Sequence, residues 1–210
     1  MAMASDLVAA VTRVTGVQSA TVAQHARALR EAGLIAKAGR GRRAAQMSAR
    51  DAAALLIALM AGGPASRAPQ NVAIARAMDV YERDVDTVTE LDPDVVRNIP
   101  PVFFEGHTLF DLVEALISTA SANPNCLVDI VTGQIYFYAD YTAIVYVDIF
   151  TSRHPARTSF SVSYAAKGFS KPTTNDFCYS SSTSFRVLAE IGKILAPTVP
   201  PARIVLGAPS

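Results

Sequence analysis

The chain has 210 residues, of which half are hydrophobic and 18% are charged, and its net charge is +1. These values fit one large or two small globular domains and exclude a disordered chain and a uniformly basic one. Two cysteines, Cys126 and Cys178, exclude a disulfide framework, the opening MAMASDLVAA lacks the pattern of a signal peptide, and the apolar stretch Ala52 to Ala61 is too short to span a bilayer. A cytoplasmic protein with no membrane partner is therefore expected. The charge is unevenly spread: residues 1–61 carry eight bases and three acids, residues 62–125 four bases and ten acids, residues 126–210 seven bases and five acids. A basic head of this kind points to a polyanionic partner.

In chain order, Asp6 to Thr15 reads as a short helix, capped by Ser5 or Asp6, with Leu7, Val8, Val11 and Val14 near helical spacing. Gly16 breaks it and residues 17–18 turn the chain. A second helix follows from Ala20 to Ala32, with Ser19 as its N-cap, Val22, Ala26 and Leu29 as its apolar side, and Gly33 just past its end. The stretch KAGRGRR, Lys37 to Arg43, holds two glycines and four cations and reads as a turn or hairpin tip. Ser48 and Asp51 form a capping-box pattern that opens an apolar helix running to about Ala61.

The stretch GGPASRAP, residues 62–69, marks a boundary. Gln70 to about Glu90 has helical composition, and Thr108 to Ser121 presents a clear apolar stripe of Leu109, Leu112, Val113, Leu116 and Ile117. After Asn123-Pro124-Asn125 the period changes to two. Strands are expected over Cys126–Val131, Gln134–Tyr138, Thr142–Phe150 and Thr158–Ala165, with turns at Thr132-Gly133, Asp140-Tyr141 and 153–156. In the last strand Phe160, Val162 and Tyr164 alternate with serines, which predicts one buried face. A polar loop, Lys167 to Ser182, precedes a helix from about Ser184 to Leu195, and the tail has a short apolar run, Ile204 to Leu206.

The pair of helices with a glycine in its turn has helix-turn-helix dimensions. The run Thr21, Val22, His25, Leu29, Gly33, Leu34 resembles the recognition helix of winged helix-turn-helix transcriptional regulators of the ArsR and MarR type, over about residues 5–60. That resemblance implies a DNA-binding head, with KAGRGRR standing where the β-wing would be. Such heads usually carry a helix ahead of these two, and the helix over 50–61 is expected to take its place in the core. Thr12 stands where alanine is common.

Stepping 100° per residue from Val22, the outward face of the second helix carries Thr21, Gln24, Arg27, Ala28 and Glu31. Gln24 suits adenine, and Arg27 suits guanine or a phosphate. Ser19 and Thr21 suit phosphates at the helix start, with Arg30 as a flanking phosphate contact. Arg27 and Glu31 are spaced as an intrahelical pair, and His25 beside the core stripe is read as a packing residue. Lys37, Arg40, Arg42 and Arg43 on the tip suit a narrow minor groove. Neutralising about five phosphates predicts that log K falls with log salt with a slope of about −4 to −5.

Elsewhere no nucleophile, acid–base pair, phosphate loop or metal-ligand spacing emerges, so no enzymatic activity and no cofactor are expected. His107, His154 and the two cysteines match no zinc pattern. Tyr136, Phe137, Tyr138, Tyr141, Tyr146 and Tyr164 suit a core or interface better than a ligand pocket.

The expectation is thus an α+β protein. Residues 1–62 form a winged helix-turn-helix domain, 63–106 a connector with helix 70–90, and 107–210 an antiparallel β-meander flanked by helices, for dimerisation or effector sensing. The function expected is a sequence-specific regulator of transcription that binds double-stranded DNA, such as phages and mobile elements carry, acting as a homodimer or higher homo-oligomer. A DNA-architectural or genome-handling protein with the same head, and a module that binds a protein or another ligand instead of DNA, are the alternatives.

Overall fold

The structure is a computed structural model that describes residues 2–37, 46–85, 102, 106–123, 131–138, 142–149, 158–166 and 179–196. It is an α+β fold with six helices and one antiparallel sheet among these residues. The helices are α1 (Ala4–Thr15), α2 (Ser19–Glu31), α3 (Ala49–Met60), α4 (Ala68–Ala77), α5 (Leu109–Ala122) and α6 (Phe185–Leu195). The strands are β1 (Met78–Val85), β2 (Val131–Tyr138), β3 (Thr142–Ile149), β4 (Thr158–Ala166) and β5 (Tyr179–Ser184), in the spatial order β1-β4-β3-β2-β5.

The capping chemistry sets the helix starts. Ser48 is the N-cap of α3: its hydroxyl accepts from the Asp51 N–H at 3.2 Å, and the Asp51 carboxylate accepts from the Ser48 N–H at 2.8 Å. Thr108 and Asp111 repeat the arrangement at α5. At α1 the cap lies earlier than Ser5 or Asp6. Met3 is the N-cap, and its N–H donates to Asp6 Oδ2 at 2.8 Å. At α2 the N-cap is Gln18, which makes no side-chain capping bond, so Ser19 is the first helical residue. Gly16 (φ +71°) ends α1, and Gly33 (φ +73°) follows α2, both in the left-handed region that glycine enters without a Cβ penalty.

Helix 70–90 is corrected. Ala68–Ala77 is helical, but at Met78 the chain becomes β1 and pairs antiparallel with β4, placing Val80 opposite Tyr164, and residues 86–90 lie outside the described residues. The composition of this stretch of sequence suits a helix, but a long-range partner decides the backbone here. The strand has one neighbour among the described strands, and its charges Asp79 and Glu82, with a bulge between Val80 and Glu82, suit an edge that must not pair further. The turn at Thr132-Gly133 is likewise corrected, because β2 runs straight through it with Gly133 opposite Val147. The polar loop 167–182 ends early: Tyr179–Ser184 forms β5 against β2, its backbone pairing outweighing a serine-rich sequence. Residues 126–130, the turns at 140–141 and 153–156, and the tail run 204–206 lie outside the described residues.

The meander β2-β3-β4 forms as the period of two predicts. Its register sets Phe137 opposite Ala143 and Ala143 opposite Tyr164, a buried row across three strands. Ile135 and Val162, also buried, lie on the same inner face, while Gln134, Ser161 and Ser163 are more exposed. Helices α5 and α6 pack on each other and touch β1 and β2 respectively. The two helices cross so closely that a Cβ added to Gly192 would lie 2.6 Å from Ala120 Cβ and 2.8 Å from the Ala120 carbonyl carbon. Helix α3 lies at the centre, in contact with α2, α4, α5, α6 and β5. The buried apolar residues of α1 to α4 and those of the sheet, α5 and α6 belong to one continuous cluster.

Candidate nucleic-acid interface

Helix α2 is held by Val22, Ala26 and Leu29, all buried, and it packs on α1 and α3. His25 is buried beside them at 3% exposure, and its Nδ1–H donates to the Thr21 carbonyl at 2.9 Å. That bond fixes the ring against its own helix and leaves it a packing residue. The side away from this stripe presents Ser19, Ala20, Ala23, Gln24, Arg27 and Glu31 to solvent, while Thr21 and Ala28 are half-buried. Gln24 and Arg27 therefore share one open face, and the small Ala20 and Ala23 beside them let a partner approach the backbone.

Arg27 is paired as its spacing predicts. Its Nε donates to Glu31 Oε1 at 2.8 Å, with both side chains mostly exposed. The hydrogen bond and charge of Glu31 raise the guanidinium pKa above its usual value. An exposed pair of this kind contributes little to stability and exchanges readily for another anion. The start of α2 has no side-chain cap and no acid in its first turn, so the first N–H groups of the helix are open to an acceptor from outside.

Arg30 sits differently. It is half-buried, and its Nε is buried without a hydrogen-bond partner among the described residues. Lys37, six residues past the end of α2, is exposed. Arg40, Arg42 and Arg43 lie outside the described residues, as do His154, Cys126 and Cys178.

A second basic feature has no marker among neighbouring residues of the sequence. Arg76 of α4 lies with its Cζ 4.4 Å from the centre of the Phe110 ring, and Arg50 of α3 approaches the same ring at 5.8 Å. Burial, and then the neighbouring charge of Arg50, lower the Arg76 pKa, against the opposing pull of Glu114 and Asp111. Phe110 lies in the first turn of α5, so this stack joins α5 to α3 and α4 from across a long stretch of chain, and only a long-range contact map would have revealed it.

Of the aromatic residues expected in the sheet, Tyr141 lies outside the described residues. Tyr164 and Phe137 are buried, and the Tyr164 hydroxyl shares a 2.6 Å hydrogen bond with His107 Nε2. Tyr136 is half-buried and donates to Gln134 Oε1. Among the described residues no cluster of His, Cys, Asp and Glu could hold a metal ion, and no helix is long and apolar enough to cross a membrane.

No protein-family model, no curated protein and no solved structure matches this chain.

Proposed function

We propose that the protein is a sequence-specific regulator that binds double-stranded DNA through its first 62 residues, used as a winged helix-turn-helix head. One observation carries the reading: Gln24 and Arg27 stand together on the open face of α2, opposite the buried Val22, Ala26 and Leu29. A helix entering the major groove needs donors and acceptors of this reach on one exposed side, with its rear face anchored in a core. The uncapped start of α2 supports a phosphate contact at Ser19 and Thr21. Arg27 releases Glu31 to reach a base or phosphate, and the basic run of Lys37, Arg40, Arg42 and Arg43 supplies charge for the adjacent groove. Two copies reading two half-sites give affinity that one small head lacks.

Selection of bound sequences from a random pool of duplexes tests this. Wild-type protein enriches a motif. Gln24→Ala and Arg27→Ala each relax it at one or two base pairs, and the triple Arg40/Arg42/Arg43→Ala change weakens binding to all sequences alike. Binding without any motif, by a ring or filament in solution, favours a genome-handling role for the same head. Wild-type behaviour in all three variants overturns the reading.

A further inference from the structure

The start of α3 holds both ends of the basic run. Ala36 donates its N–H to Asp51 Oδ1 at 2.9 Å, and Ser48 donates its N–H to Oδ2 of the same carboxylate at 2.8 Å. Beside Asp51 stands Arg50, exposed, and its guanidinium shares the Phe110 ring with that of the half-buried Arg76. The two guanidinium carbons lie 5.8 and 4.4 Å from the ring centre, so they are no further apart than the sum of those distances. We propose that Arg50 and Arg76 grip the phosphate backbone of duplex DNA, extending the interface beyond the head into α4. The inference rests on the DNA reading above and adds a surface to it.

The pair lacks an anion. Neither arginine makes a hydrogen bond or an ion pair among the described residues, and the Arg76 Nε is buried without a partner. The nearby acids do not supply one. Asp111 Oδ2 is held by the Thr108 N–H and hydroxyl at 3.0 and 2.7 Å, and neither Asp111 nor Glu114 comes within ion-pair distance of the two arginines. Burial, and then the charge of Arg50, disfavour the Arg76 cation more strongly than Glu114 and Asp111 favour it. A half-buried cation facing a like charge is stabilised by an anion brought from outside.

The surroundings choose that anion. A guanidinium fork suits phosphate and carboxylate oxygens alike. A lone carboxylate presents two oxygens in one plane, which a single fork fills, and the other arginine stays unpaired. A row of phosphates gives each guanidinium its own partner without drawing the two like charges together. Lys37, next in the chain to Ala36, is exposed, and the arginines that follow it in sequence continue the positive charge. A continuous basic stretch matches a polyanion better than it matches a single small anion. Phe110 is 2% exposed, so its ring offers no face for a base to stack on, and the contact reads charge and not sequence. Two of the about five phosphates that the protein neutralises then belong to this pair.

The test uses the full chain with Arg50→Gln, Arg76→Gln and both changes together. Fluorescence anisotropy of a labelled duplex is followed between about 50 and 200 mM salt, and unfolding midpoints are measured alongside. Each single change should weaken binding to every duplex alike, by about tenfold, and make the salt slope shallower by about one. The double change should make it shallower by about two and leave the selected motif as it is. Arg50 is exposed, so Arg50→Gln should keep the wild-type midpoint and carries the test alone if Arg76→Gln folds poorly. A lower midpoint with an unchanged slope in the double variant would show that the arginines only pack on Phe110, and overturns the inference while the DNA reading stands. Saturable binding of inorganic phosphate, seen by amide NMR and lost in both variants while duplex binding is unchanged, would assign the pair to a free phosphate and overturns it as well. A wild-type protein that binds no duplex overturns the DNA reading and this inference with it.

Discussion

Helices α2 and α3 are nearly equal in length and both rich in alanine, but they are used in opposite ways. Nine of the twelve residues of α3 are buried, including Leu55, Leu56 and Ile57 at zero exposure. In α2 only Val22, His25, Ala26 and Leu29 are buried, and one whole side is open. The helix surrounded on all sides carries the stability of the fold, while the helix on the outside has a face whose residues fold the protein no better than others would. A face of that kind is free to be chosen for binding.

The contrast breaks most directly at Leu55. Leu55→Ala should cost about 2–5 kcal/mol in denaturant unfolding, because the centre of the cluster has little room to collapse. A cost near zero would show that α3 is not the hub. Gly192→Ala extends the test to the helix pair beyond it. The added methyl meets the Ala120 backbone at 2.8 Å, and the expected loss is about 1–3 kcal/mol, read as a lower unfolding midpoint. Thr12→Val works in the other direction. The Thr12 hydroxyl is buried on α1 without a partner among the described residues, so replacing it with a methyl should raise stability by about 1 kcal/mol. At the small end stands Arg27→Ala, which should leave the unfolding midpoint where it is, since its pair with Glu31 is exposed.

The sequence carries the local elements well and the distant ones poorly. The capping pattern at Ser48-Asp51, the apolar stripes of α2 and α5 and the alternation in β4 are each written in a few neighbouring residues, and each appears as expected. Residues 78–85 misled because a charged segment with helical composition becomes a strand only once β4 lies beside it. The serines of β5 are a strand for the same reason, through β2. At the candidate interface, the direction of Gln24 and Arg27 follows from a 100° step away from Val22. The burial of the Arg30 Nε and the Arg50–Phe110–Arg76 stack depend on residues brought together from far along the chain.

The central claim is that the open face of α2 and the basic residues following it meet duplex DNA. Fluorescence anisotropy of a labelled duplex, titrated with the protein between 50 and 200 mM salt, measures it directly. The account predicts that log K falls with log salt with a slope of about −4 to −5, and that Arg27→Ala makes the slope shallower by about one. A slope near zero, or no binding at the lowest salt, would contradict it.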